Sequence, residues 1–181
     1  ARDVLAAQPS PRQACLANTY LASAGVEGDA IEVTDRDFKA WRESCRAAGE
    51  TTVAFGFLSL AEARHLRKDG RGDEALTLLE QRSGEFEGTR YPRLVAEAYA
   101  LDAELLFEAA RYADAERQAR AAVELSKDLP TGRPVAMAEK VLSDIARRKG
   151  DDAAALQHMQ RHVAAIRALA DEARLKELAF R

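Results

Sequence analysis

The residues of this chain best suited to covalent chemistry are its two cysteines, Cys15 and Cys45. Each falls in a stretch with helical apolar spacing, and a glycine-containing connection (25–33) lies midway between them. Residues equidistant from the loop of an antiparallel hairpin lie at the same height, so a disulfide between the two side chains is geometrically feasible. The alternative is a pair of buried free thiols that act as small apolar side chains.

Two histidines have a spacing that metal sites also use. His158 and His162 are four residues apart, which places both imidazoles on one face of a helix. Zinc enzymes use this spacing, but Met159 stands where the glutamate of that motif would follow, and no third ligand is indicated. We therefore predict a packed or solvated pair, no metal and no cofactor. His65 is expected at the surface.

No spacing in the chain is typical of a catalytic site. It has no glycine-rich phosphate loop, no nucleophile elbow and no paired-cysteine zinc motif, so we predict that this segment is not an enzyme. The Arg71-Gly72-Asp73 tripeptide falls at a predicted turn, and we attribute it to chance. A net charge of −3, with mixed signs along the chain, argues against general nucleic-acid binding.

No stretch approaches the roughly 20 apolar residues that a membrane span needs. The chain begins at Ala1 and ends at Arg181 within a helical pattern. We expect it to be a segment of a larger protein, in contact with a membrane only through a missing flanking segment.

The elements that must position these residues are helices that recur at a fixed interval. Three tight polar turns are followed by Ala75, Ala115 and Ala155, which are 40 residues apart. Such a period is typical of helical repeat arrays. We predict an all-α superhelical solenoid of antiparallel helical hairpins, since no strand-like alternation occurs. The predicted core includes Leu60, Leu76, Leu79, Leu101, Leu105, Val123, Leu142, Ile145, Leu156 and Met159.

The repeat pattern divides the chain into three parts. Residues 1–50 are predicted to form an N-terminal capping hairpin, with helix starts at Ser10 and Thr34. Residues 51–170 hold three repeats, at about 51–90, 91–130 and 131–170, and 83–88 is predicted as a loop by composition. Residues 171–181 are predicted to extend the last helix toward a missing membrane or output segment.

The last helix is predicted to be unusually long and to present an apolar seam. Its members have heptad spacing: Leu156, Met159, Val163, Ile166, Ala170 and Ala173. The seam to about Ile166 is expected to pack on the preceding helix. Residues 167–181 are expected to project beyond the repeats and to pair with a second copy in a homodimer. The alternative is a tail that folds back as a cap.

The hairpins resemble tetratricopeptide (TPR) repeats in a lengthened form, over roughly residues 51–170. The family's turn glycine corresponds to Gly70, Ala110 and Gly150, its turn aromatic to Tyr112, and its second-helix alanine to Ala75, Ala115 and Ala155. With the long closing helix, the chain also resembles the N-terminal sensor region of bacterial membrane-anchored GGDEF diguanylate cyclases or histidine kinases. The resemblance implies a periplasmic sensor domain, in the first instance of a diguanylate cyclase. The alternative is a cytosolic TPR adaptor that assembles protein partners.

The resemblance also implies a binding groove on the concave side, where TPR arrays expose the first helix of each repeat. Carried over by position, the groove residues are Arg64, Arg67, Lys68, Glu104, Phe107, Glu108, Lys140, Asp144 and Arg147. This basic, acidic and mixed series suits a peptide, a protein, or a small anionic or zwitterionic ligand. The alternative is solvated helix faces with intrahelical ion pairs such as Lys140–Asp144.

Overall fold

The computed structural model describes residues 10–28, 32–129 and 132–179. Within these ranges every regular element is a helix, and the helices pack in neighbouring pairs. This confirms the predicted all-α class. The chain divides into two compact units, residues 1–89 and 90–181. The division falls at the predicted junction of the first and second repeats.

The described part of the first unit contains five helices. They are α1 (Pro11–Glu27), α2 (Asp35–Ala47), α3 (Val53–Lys68), α4 (Gly72–Gln81) and α5 (Ser83–Glu87). Helix α1 begins as predicted, because the Ser10 hydroxyl accepts a hydrogen bond from the Gln13 backbone N–H. Helix α2 is capped by Thr34, whose hydrogen bonds to the Asp37 carboxylate hold the pKa of Asp37 below its ordinary value. Helix α3 packs against all four other helices of this unit.

Helix α5 occupies the stretch that composition predicted as a loop. Phe86 is buried within it, and α5 packs against α3 and α4. Burial of one large aromatic ring therefore outweighs the turn preference of Ser83 and Gly84, since local propensity is a weak determinant beside tertiary packing.

The described part of the second unit contains four helices. They are α6 (Pro92–Glu108), α7 (Tyr112–Leu125), α8 (Arg133–Arg148) and α9 (Asp152–Ala179). Helix α8 packs against α6, α7 and α9, so the first helix of one hairpin covers both helices of the hairpin before it.

The 40-residue period reappears in the backbone of the turns. Gly70, Ala110 and Gly150 all have left-handed backbone angles, with φ of 77°, 58° and 75°. The N–H of the residue that follows each one donates to the carbonyl five residues earlier, at 2.8, 2.8 and 3.0 Å. This is the helix-ending geometry that glycine favours, and alanine adopts it at a steric cost of about 1–2 kcal/mol. The three turns are therefore equivalent, as the repeat pattern predicts.

Ala115 tests this register, because it lies fully buried in α7 at the landmark position. Ala115→Phe is expected to overpack the helix crossing and to lower the free energy of unfolding by about 1–3 kcal/mol. Urea denaturation measures the loss. Ala113→Phe, at an exposed position of the same helix, is the matched control and should unfold near the wild-type midpoint. Equal midpoints for the two variants would contradict the register.

The predicted core is confirmed except along α9 and at Val123 in α7. Leu156 is 60% exposed, which corrects its assignment to the core, and Val123 and Met159 are half-buried. Helix α9 contacts α8 through the neighbouring face, where Ala165 is buried and the Ala155 carbonyl accepts a hydrogen bond from Ser143. The face that contacts α8 is offset by one residue from the predicted seam, and one residue corresponds to a rotation of about 100° around the helix axis. The predicted seam is therefore turned away from α8. The other seven residues of the predicted core are buried: Leu60, Leu76, Leu79, Leu101, Leu105, Leu142 and Ile145.

The predicted seam on α9 is mostly exposed along its length. Val163 is 39% and Ile166 is 47% exposed, so the expectation that the seam packs on the preceding helix up to Ile166 is wrong. Leu175 and Leu178 are also exposed, at 67% and 69%.

Candidate functional site

A disulfide joins the two helices of the first hairpin. Cys15 in α1 and Cys45 in α2 are fully buried and bonded through their sulfur atoms, with their Cα atoms 4.6 Å apart. They belong to an apolar cluster that α1 and α2 share with α3, in which Phe38 and Leu58 are the largest fully buried side chains. The predicted bridge is confirmed over the alternative of free thiols. A buried disulfide is compatible with an extracellular or periplasmic location.

An open cavity lies in this first unit, beside the end of the bridged hairpin. It has a volume of about 640 Å³ and opens to solvent. Its walls come from the last turn of α1, the connection into α2, and the turn between α3 and α4. The lining residues are Gly25, Val26, Gly28, Glu32, Val33, Thr34, Asp35, Arg36, His65, Lys68, Asp69 and Arg71.

Helix ends bring charges of both signs to this cavity. Helix α2 begins at Asp35 and places Arg36 in its first turn, while α3 ends at Lys68 and places Asp69 at its cap. Asp35 and Lys68 complement the dipoles of their helices, whereas Arg36 and Asp69 carry the opposite signs. The lining therefore provides groups for both charges of a small polar ligand.

An ion pair forms one wall of the cavity. The Arg71 guanidinium lies 2.8 Å from the Asp35 carboxylate and also donates two hydrogen bonds to Glu74. These bonds, first to Glu74 and then to Asp35, raise the pKa of Arg71, and the bonds from Arg71 lower the pKa of Glu74. A second cavity of about 410 Å³ also contacts Asp35 and Arg71. The pair therefore separates two neighbouring cavities.

His65 lies in the wall rather than at the surface. Its side chain is only 12% exposed and its ring packs 5.5 Å from the Phe38 ring, which corrects the expectation of a surface residue. Its Nε2 atom lies 3.4 Å from an oxygen of Asp35 and 3.5 Å from an oxygen of Asp69. His65 thus brings two carboxylates together at the cavity wall.

The three predicted groove residues of the first unit divide between two environments. Lys68 lines the cavity and is exposed. Arg64 and Arg67 do not line it, and the Arg64 side chain is 15% exposed with its guanidinium 3.4 Å from Glu27. Of the three, Lys68 is therefore the one that this cavity brings together with Arg36 and Glu32.

The predicted groove residues of α8 are paired with one another. Lys140 Nζ and Arg147 Nη2 each lie 2.8 Å from a different oxygen of Asp144, whose side chain is 14% exposed. This matches the intrahelical pairing that the sequence left open as the alternative. Exposed pairs of this kind contribute little to stability, and the two cations still project into solvent.

The predicted groove residues of α6 lie on the helix that packs beside α8. Glu104 is half-buried and Glu108 is exposed. Phe107 contacts Tyr112 with ring centroids 5.3 Å apart, and the Arg148 guanidinium lies 4.2 Å from the centroid of the Tyr112 ring. We refer to Glu104, Glu108, Lys140 and Arg147 as the α6–α8 charges.

Sequence reasoning missed a partly buried charge network in the first unit. Arg42 of α2 donates to both carboxylate oxygens of Glu85 in α5, at 3.0 and 2.9 Å, and Ser59 donates to Glu85 at 2.5 Å. Arg42 also bonds to Ser59, and Arg82 bonds to Glu62. Two arginines face two glutamates, so the charges balance and the network ties α2, α3 and α5 together. No local spacing could have revealed it, because Glu85 is positioned by a helix that composition predicts as a loop.

The described residues contain neither a group of three or more side chains placed to hold a metal ion nor a helix apolar enough to span a membrane. Of the predicted binding residues, Lys68 lies at the cavity of the first unit, and the α6–α8 charges lie in the second unit. Comparison of the chain with protein families, with curated proteins and with solved structures found no match.

Proposed function

We propose that the chain is a ligand-binding sensor module whose ligand site is the cavity of the first unit. The observation that supports this most is the open, charged cavity of about 640 Å³ beside a disulfide-bridged hairpin. Its volume falls within the roughly 300–1,000 Å³ of small-molecule sites. Helical hairpins repeated every 40 residues are scaffolds that function through binding surfaces, which favours this role.

The cavity lining suits a small zwitterionic ligand, such as an amino acid or the end of a peptide. Arg36 and Lys68 are exposed cations that attract a carboxylate, and Glu32 is an exposed anion that attracts an ammonium group. A purely anionic ligand is less well matched, because Asp35 and Asp69 also contribute to the wall.

In the wider proposal, the repeats form a TPR-type superhelical solenoid in the periplasm. The module would belong to a membrane-bound bacterial signalling protein, with a diguanylate cyclase or a histidine kinase as the output. The disulfide supports an oxidising compartment, since thiol reductants keep cytosolic cysteines reduced. The exposed leucines of α9 support a segment that pairs with a second copy or continues toward an output domain. A cytosolic adaptor is the competing proposal, and it requires that the cysteines be reduced in the native protein.

A binding screen with two charge-reversal variants tests the site. We expect a thermal-shift screen of amino acids, dicarboxylic acids and short peptides to yield a stabilising zwitterionic ligand. Arg36→Glu and Lys68→Glu should each weaken its binding about 10- to 100-fold, because a hydrogen bond to a charged group contributes about 1.5–3 kcal/mol. Isothermal titration calorimetry measures the change.

Arg147→Glu is the matched control, since it reverses an exposed cation in the second unit. It should bind the ligand like the wild type, and circular dichroism should show unchanged helicity for all three variants. Loss of binding in Arg147→Glu, with normal binding in Arg36→Glu and Lys68→Glu, would move the site to the α6–α8 charges.

A further inference from the structure

The α8–α9 contact holds two histidines in a defined orientation. His158 Nδ1 lies 2.6 Å from a carboxylate oxygen of Glu139, and His162 Nδ1 lies 2.8 Å from the backbone carbonyl oxygen of Ala136. Glu139 is almost fully buried in α8, with 3% of its side chain exposed, so its position is set by packing. Both imidazole rings are thus anchored to α8 by the same ring atom.

These contacts determine the tautomer of each neutral ring. The Ala136 carbonyl only accepts hydrogen bonds, so Nδ1 of a neutral His162 ring must carry the hydrogen, and the same tautomer lets His158 donate to Glu139. A neutral imidazole with a protonated Nδ1 presents its lone pair at Nε2. Each ring therefore offers the atom with which histidine binds metal ions.

His158 and His162 are both half-buried, with 14% of the His158 side chain exposed. Neither Nε2 atom has a hydrogen bond among the described residues. The four-residue spacing keeps the two rings on one face of α9, about one helical turn apart.

We propose that His158 and His162 bind a divalent transition-metal ion through their Nε2 atoms, with water completing its coordination. Imidazole is a ligand for Zn²⁺, Ni²⁺ and Cu²⁺, and Cu²⁺ is bound the most tightly at a given nitrogen site. Ligating histidines almost always donate their other ring N–H to a carboxylate or a backbone carbonyl, and here both acceptors are in place. The nearby Arg161, 3.8 Å from Glu139, opposes a further positive charge and keeps the affinity modest. This site is independent of the cavity in the first unit.

Zinc titration of the purified chain tests the proposal, with His65, the third histidine, as the matched control. We expect one Zn²⁺ per chain by calorimetry at pH 8. His158→Ala and His162→Ala should each abolish this binding, and His65→Ala should retain it. Glu139→Gln should weaken it about 10- to 100-fold, as loss of a ligand's hydrogen-bond partner does. Zinc binding that persists in both α9 variants, or that disappears in His65→Ala, would overturn the proposal.

A measurement on the wild type keeps the test valid if an α9 variant fails to fold. Nitrogen-15 spectra of the imidazole rings should show Zn²⁺ shifting the Nε2 signals of His158 and His162 but not those of His65. Unchanged Nε2 signals for His158 and His162 at saturating zinc would overturn the assignment.

Discussion

Replacing Arg42 with methionine is expected to destabilise the first unit by about 3 kcal/mol. Arg42 is 12% exposed and pairs with Glu85, and its Nε atom lies 3.6 Å from Glu62. Removal of one partner from a buried ion pair costs about 3–5 kcal/mol, because the remaining charge is left without compensation. Because both glutamates are partly exposed, we expect a loss of stability at the lower end of this range. Urea denaturation followed by circular dichroism measures it.

Two further variants separate charge loss from packing loss at this network. Arg46→Met, at an exposed position of the same helix, should change stability by less than about 0.5 kcal/mol. Glu85→Gln, introduced into Arg42→Met, should recover part of the lost stability, because it removes one uncompensated carboxylate. A midpoint for Arg42→Met equal to that of Arg46→Met would show that the network contributes no net stability.

Loss of the disulfide is expected to have a comparable effect. The bridge closes a loop with a sequence separation of 30 residues, for which the chain-entropy treatment gives about 3–4 kcal/mol. The Cys15→Ala/Cys45→Ala variant should therefore unfold at a clearly lower urea concentration than the wild type. Alanine suits this buried cluster because it introduces no polar atom.

Reduction of the wild type provides the control for that variant. Dithiothreitol should lower the wild-type midpoint toward that of Cys15→Ala/Cys45→Ala and leave the variant unchanged. Thiol titration of the protein isolated from its native compartment without reductant should find no free thiol. Two free thiols per chain in that sample would contradict the oxidising location and favour the cytosolic adaptor.

The turns and helix starts were predictable because their signals are local. Ser10 and Thr34 cap helices through bonds that span three residues, and the turn at Gly150 depends on one backbone angle. At Ala110 the residue type does not favour a left-handed turn, but the 40-residue register predicts a turn there. Interactions that span a few residues leave a signature in residue order.

The features that were missed depend on packing between helices distant in the sequence. The Arg42–Glu85 bond joins residues 43 positions apart and requires α5, whose formation depends on burial of Phe86. Leu156 was misplaced because periodicity identifies an apolar stripe without stating which neighbour covers it. The orientation of His158 likewise follows from Glu139, nineteen residues earlier, and no spacing rule connects the two.

The candidate site was partly predictable for the same reason. Lys68 was identified by its repeat position, but Arg36 and Glu32 enter the cavity only because α1, α2 and α3 pack together as they do. The groove positions carried over from the TPR resemblance gave a line of charges along first helices. In the first unit, the cavity that Lys68 lines lies at the helix ends.

Mapping the ligand position by nuclear magnetic resonance is the most direct test of the proposed binding role. The best zwitterionic ligand from the screen would be titrated into isotope-labelled protein, with amide chemical shifts recorded at each step. The account predicts that the largest changes fall in 25–28, 32–36 and 65–71, the segments that line the cavity. Changes concentrated in 104–108 and 140–147, with the cavity segments unaffected, would contradict it.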